Sequence, residues 1–220
     1  MGTRREVIVA QGASHAGESV PHVIPTDDPS LNILALGPLT NIAHRLLAES
    51  ALSIASITIL GSNATSAARF PPISPFEFNL TKDRWATKVV FRSVVPLRIA
   101  PLDVAKRLTL TDEVQRRLAE VHLPRILATE ATRWSVRSQK IGRTCVPVWD
   151  LVAAFWARHP ELCVSETRLV RTTLFGRVEY DAPNGRPVEV LKAFAPGQVW
   201  DYFFAALKSH RDNSPAHSNL

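Results

Sequence analysis

The sequence predicts an α/β protein: a mostly parallel sheet with flanking helices, followed by a helical and β-hairpin portion. Three observations lead there. Short apolar strands alternate with segments of helical period between residues 31 and 103, a pattern that gives parallel strands joined by right-handed crossovers. The strands are near-continuous apolar runs, as expected of strands buried on both faces. Thr40, Asn41, Asn63 and Asp103 stand just past the strand ends, where open α/β sheets bind their ligands.

Each element has its own reason. "REVIVA" (5–10) is a short β-branched strand, and the Gly-, Ser- and Pro-rich stretch after it is a loop. "LNILALG" (31–37) is an apolar strand closed by a glycine. The next segment places Leu39, Ile42, Ala43, Leu46 and Leu47 on one helical face. "IASITILGSN" (54–63) is a second buried strand. "DRWATKVVFRS" (83–93) is a helix with Asp83 as its cap. "VPLRIAPLD" (95–103) is the third strand. After it comes "LTLTDEVQRRLAEV" (108–121), which contains a capped amphipathic helix, and helical pattern continues to residue 162. A hairpin-like stretch over 167–194 has Asn184-Gly185 as its turn. An apolar helix over 197–210 completes a single domain, 1–210, and 211–220 is expected to be a disordered tail.

The 220 residues suffice for one substantial core. With 45% hydrophobic and 21% charged residues the composition is that of a soluble globular protein. No apolar run approaches the roughly 18 residues of a membrane span, and "MGTRREVIVA" has no secretory h-region. A cytoplasmic protein without membrane association is expected. Cys145 and Cys163 lack the spacing of a metal site or a disulfide framework and read as small buried hydrophobes. The net charge of +6 comes from scattered basic residues. Their one cluster, around Trp134, has no nucleic-acid module to frame it and reads as a solvated face.

Four polar constellations could carry chemistry. "GPLTN" lacks the Lys-Ser/Thr pair of a P-loop, so Thr40 or Asn41 either caps a helix or serves a ligand. In "SPFEFNLTKD", Glu77 and Asn79 are two apart, so an extended segment would send both to one face and Phe76 and Phe78 into the core. A carboxylate beside an amide suits a polyol, or else the segment is a polar surface loop. In "CVPVWDLVAAFW", Asp150 is either a helix cap or a metal ligand, and Trp149 either a core aromatic or a flat face for a ring. Asp27-Asp28, between prolines, reads as a turn.

Taken in order, "LALGPLTNIA", "LGSN", "PFEFN" and "WDLVAA" resemble the nucleoside hydrolases, the inosine-uridine-preferring N-ribohydrolases. "PLDVAKRLTLT" and "REVIVAQGAS" extend the resemblance over most of the chain. The resemblance implies a Rossmann-like sheet with Ca²⁺ at its C-terminal rim. It makes the backbone carbonyl of Thr40 and the carboxylate of Asp150 metal ligands. It assigns Asn63, Glu77 and Asn79 to the ribose, with Ser62 where the family has glycine. Trp149 stands where some members have histidine, as in purine-preferring relatives, and implies stacking on a purine base. The implied reaction is Ca²⁺-dependent hydrolysis of the N-glycosidic bond of ribonucleosides, giving ribose and free base.

One part of the family pattern is missing. Members open with Asp-x-Asp-x-x-x-Asp-Asp at the end of the first strand, which supplies metal ligands and the general base. Here the first predicted strand already resembles a later family strand, so the first strands of the fold are expected to be absent and the chain N-terminally truncated. No residue is then retained as general base. The alternative reading is an inactive truncated homologue or a ribose- or nucleoside-binding protein. An incomplete sheet leaves an unpaired edge, so a homo-oligomer or poor solubility is expected.

Overall fold

The computed structural model describes residues 10–18, 31–48, 54–64, 77–121, 125–140, 146–174 and 176–212. It divides into two compact units, one built from residues 1–104 and 165–192, the other from 105–164 and 193–220.

The first unit holds the predicted alternation. β1 (Leu31–Ala35), α1 (Thr40–Ala48), β2 (Ile54–Leu60), α2 (Arg84–Arg92), β3 (Leu97–Ala100) and the short α3 (Leu102–Ala105) follow one another. β6 (Val164–Thr172), β7 (Val178–Tyr180) and β8 (Arg186–Ala193) return to the same sheet. Its strand order is β1-β2-β3-β8-β6-β7. The pairs β1–β2, β2–β3 and β3–β8 are parallel, and β6–β7 is antiparallel. A mostly parallel α/β sheet is therefore what the sequence forms. Ile57, Ile59, Ile99 and Val90 are fully buried in its core. Asp83 caps α2 as expected, its Oδ1 accepting from the Ala86 N–H at 2.9 Å.

Two expectations fail for identifiable reasons. β1 is not buried on both faces: Asn32 and Leu34 are exposed, as is Leu36 just after it, and among the described strands it lies at the sheet edge. An apolar run cannot report whether a neighbour covers it. The hairpin turn is also misplaced. β6 pairs with β7, so the hairpin closes over residues 173–177, where the Thr173 N–H donates to the Arg177 carbonyl at 2.8 Å. Asn184-Gly185 instead joins β7 to β8, strands that are not neighbours. Its turn is closed by the Gly185 N–H on the Ala182 carbonyl at 2.8 Å.

The second unit is mainly helical. It contains β4 (Thr109–Leu110), α4 (Asp112–Glu120), α5 (Arg125–Lys140), β5 (Val146–Pro147), α6 (Trp149–Arg158), a 3-10 turn at Pro160–Leu162 and α7 (Pro196–Asp212). β4 and β5 pair antiparallel. Thr111 caps α4 through its hydroxyl on the Val114 N–H at 3.2 Å. Val152 and Trp156 on α6 and Val199 on α7 are fully buried. The Arg117 guanidinium lies 4.0 Å from the Phe204 ring centroid and bridges to Asp201 at 3.3 Å. α7 runs on through Arg211 and Asp212, so the helix outlasts the predicted start of the tail; the rest of that tail lies outside the described residues. Among the described residues no helix is long and apolar enough to cross a membrane. Cys163 is a free, half-buried thiol, its pKa pushed up to about 11 by burial and by Glu161. Cys145, Asp27, Asp28, Phe76 and most of the "REVIVA" stretch lie outside the described residues.

Candidate functional site

The C-terminal end of β2 runs into the loop Gly61-Ser62-Asn63-Ala64, and the "EFN" segment folds onto it. That segment is a turn rather than an extended strand. The Thr81 hydroxyl donates to the Glu77 carbonyl, and the Lys82 N–H donates to the Phe78 carbonyl at 3.0 Å. Phe78 is consequently exposed at 58%, with the Lys82 ammonium 5.6 Å from its ring centroid, and does not enter the core as the two-residue period implied. Turn geometry overrides strand alternation here.

Glu77 and Asn79 nevertheless reach the same place. One Glu77 oxygen accepts from the Ser62 N–H and the other from the Leu80 N–H at 3.0 Å. The Asn79 amide donates to the Leu60 carbonyl at 2.9 Å. Gly61 makes this approach feasible, since a Cβ there would stand 3.2 Å from Glu77 Oε2 and from Leu80 Cγ. Burial pushes the Glu77 carboxyl above the ordinary carboxylate range, while the N–H groups of Leu80 and Ser62 oppose that shift. Asn63 is half-buried on the same loop, and its side chain makes no hydrogen bond among the described residues.

Thr40 is buried at the start of α1, and neither it nor Asn41 caps that helix through its side chain. The Thr40 hydroxyl donates to Asp83 Oδ2 at 2.8 Å. Asn41 Oδ1 instead accepts from the Ala13 N–H at 3.0 Å, tying the 10–18 loop to the helix. Asp83, which the sequence offers only as a cap, also accepts from the Gly17 N–H at 3.0 Å. Burial opposes its charge, but the donors from Ala86, Gly17 and Thr40 together hold its carboxyl below the ordinary range. The signal for this second role would have been a tertiary one, because its donors come from positions 17, 40 and 86.

Trp149 and Asp150 open α6 in the second unit. The helix begins one residue earlier than a cap at Asp150 requires: Val148 is the N-cap, without a side-chain bond, and Asp150 sits in the first turn. Asp150 is exposed, though partial burial of the carboxyl raises its pKa. Trp149 is half-buried, its ring edge-on to Trp134 with centroids 6.2 Å apart.

The donor set falls short of a calcium site. Ca²⁺ takes six to eight oxygens, whereas the expected ligands are one carbonyl, on Thr40, and one carboxylate, on Asp150. Among the described residues no group of three or more His, Cys, Asp or Glu could hold a metal ion.

The family model for the inosine-uridine preferring nucleoside hydrolases matches residues 3–201. The pyrimidine-specific ribonucleoside hydrolase RihA of Photobacterium profundum is 29% identical over 157 residues, 69% of this chain and 50% of its own. The non-specific ribonucleoside hydrolase RihC of Salmonella paratyphi A is 29% identical over 167 residues, 74% of this chain and 52% of its own. The chain thus spans about half the length of the curated relatives it matches. The solved structure of the inosine-uridine preferring nucleoside hydrolase from Bacillus anthracis shares the fold, with a TM-score of 0.61 at 19% identity over 80% of this chain and 60% of that one. On a match over nearly all its length, this chain belongs to the inosine-uridine preferring nucleoside hydrolase family.

Proposed function

We propose that the protein acts in hydrolysis of the N-glycosidic bond of ribonucleosides, releasing ribose and free base, and that these residues form the sugar side of the site. The observation that carries this reading is the gathering of Glu77 and Asn79 on the loop that bears Asn63. Each side chain has a part. Ribose hydroxyls offer donors to the Glu77 carboxylate, and the Asn63 and Asn79 amides can both donate and accept. Loss of the base leaves positive charge near the anomeric carbon, and a fixed, partly buried carboxylate such as Glu77 stabilises that charge more strongly than water does. Trp149 offers a flat face to the base.

Purine nucleosides are the favoured substrates in this reading, and Trp149 is its support; the relatives' names point to pyrimidines for one and to no preference for another. Calcium dependence is part of the same reading, with Thr40 and Asp150 as the ligands retained in an incomplete site. A cytoplasmic location and a homo-oligomeric assembly belong to it as well.

The test is release of free base from inosine, guanosine and uridine in the presence of Ca²⁺, compared with Asp150→Ala. Inosine and guanosine are expected to be cleaved faster than uridine, and Asp150→Ala is expected to lower the rate. Background rates with every nucleoside would end the enzymatic reading for this chain. A second reading, a nucleoside-binding homologue without turnover, is favoured by the sequence, in which the family's Asp-x-Asp-x-x-x-Asp-Asp motif does not occur. Loss of a general base alone costs about 10²–10⁴-fold in rate. Saturable inosine binding with no base release would select it.

A further inference from the structure

The loop after β2 is held from several sides at once. Besides the bond from Ser62 N–H to Glu77, the Leu102 N–H donates to the Ser62 carbonyl at 2.8 Å. Asp103 Oδ1 accepts from the Ala64 N–H at 3.0 Å, and Arg168 donates to the Ala64 carbonyl at 3.1 Å. One contact is made by a side chain on a side chain. The Tyr180 hydroxyl, 118 residues further along the chain on β7, donates to Ser62 Oγ at 2.9 Å.

Ser62 has particular need of that contact. Its φ is +69°, in the left-handed region that glycine adopts freely and a residue with a Cβ does not. The nucleoside hydrolase pattern has glycine at this place. Here the serine keeps the backbone conformation and gains an anchor that glycine could not offer. Tyr180 is itself well fixed: the Arg168 guanidinium lies 4.5 Å from its ring centroid and forms a two-pronged pair with Asp181 at 3.0 and 2.5 Å. Arg168 therefore grips both the tyrosine and the loop. Burial raises the Tyr180 pKa, so its hydroxyl stays a proton donor over the working range.

We propose that Tyr180 is a positioning residue for Asn63, holding Ser62 in its left-handed conformation and so setting the direction in which the next side chain leaves the loop. The inference rests on reading Asn63 as a ribose contact. Asn63 has no partner of its own among the described residues to fix its course, so its aim depends on the backbone on either side.

Four proteins test this: the natural chain, Tyr180→Phe, Ser62→Gly and the double variant. Native-state amide exchange is read at residues 61–64, and inosine is the binding probe. Removing the hydroxyl alone is expected to speed exchange in the loop about five-fold while exchange elsewhere in the sheet is unchanged. Inosine Kd, or KM with kcat held, is expected to rise by a similar factor. When Ser62 is glycine the loop needs no anchor, so Tyr180→Phe should then change neither quantity. Unchanged loop exchange in Tyr180→Phe overturns the proposal. So does an equal effect in both backgrounds, which would assign the effect to ring packing rather than to the hydroxyl. If the loop responds as expected but the natural chain neither binds nor cleaves inosine, the hold of Tyr180 on the loop stands and the nucleoside reading has failed.

Discussion

Asp83 and Glu77 show how differently two carboxylates can be set by their surroundings. Asp83 is buried but met by three donors, and its carboxyl stays below the ordinary range. Glu77 is raised by burial despite its own two N–H donors. The signs of their contributions to stability are opposite. A depressed folded pKa means that Asp83 stabilises the fold above its unfolded value of about 4 and loses this as pH falls further. A raised folded pKa means that Glu77 favours the fold most below its unfolded value and less as pH rises through the folded one. Asp83→Ala removes a cap and two tertiary bonds and should cost about 2 kcal/mol near neutral pH. Urea unfolding of this variant and the natural chain at pH 7 and pH 3 checks it: the difference should shrink at the lower pH. An unchanged difference would show that the carboxylate's charge is not what the three donors read.

At the scale of elements, tight turns and buried anchors are the points of failure. A Cβ at Gly185 would stand 2.6 Å from the Val170 nitrogen and 2.7 Å from the Leu169 carbonyl carbon, backbone atoms of β6 that cannot step aside. Gly185→Ala should destabilise the first unit by about 2–3 kcal/mol, visible as a lowered thermal midpoint. At Gly12 the nearest atom is the end of the Asn41 side chain, at 2.5 Å, which can rotate away. Gly12→Ala should be milder and should act by loosening the bond to Ala13. In the second unit Trp156 is fully buried on α6, and Trp156→Ala should cost about 3–5 kcal/mol of stability in denaturant titrations. The displaced hairpin belongs to this scale too. Asn-Gly is a strong local turn signal, and a turn does form there, but which strands it joins as neighbours is decided by pairing across the sheet.

At the scale of the whole molecule, the edge of the sheet and the family pattern meet. β1 ends the described sheet with Leu34 exposed, and Leu36 just beyond it is exposed too. A strand at the edge of a sheet with exposed apolar side chains pairs readily with another chain. Concentration-dependent association is expected in sedimentation experiments, and Leu34→Lys should reduce it; equal association of the two proteins would place the contact elsewhere. The sequence by itself determined the α/β alternation, the Asp83 cap and the family, because periodicity, capping chemistry and motif order are local properties of a chain. Only the tertiary structure decided that Phe78 faces outward, that β1 lies at the edge of the described sheet, and that Glu77, Asp83 and Tyr180 hold groups far from them in sequence. Those outcomes depend on what packs against each residue, and a linear pattern carries no record of its neighbours in space.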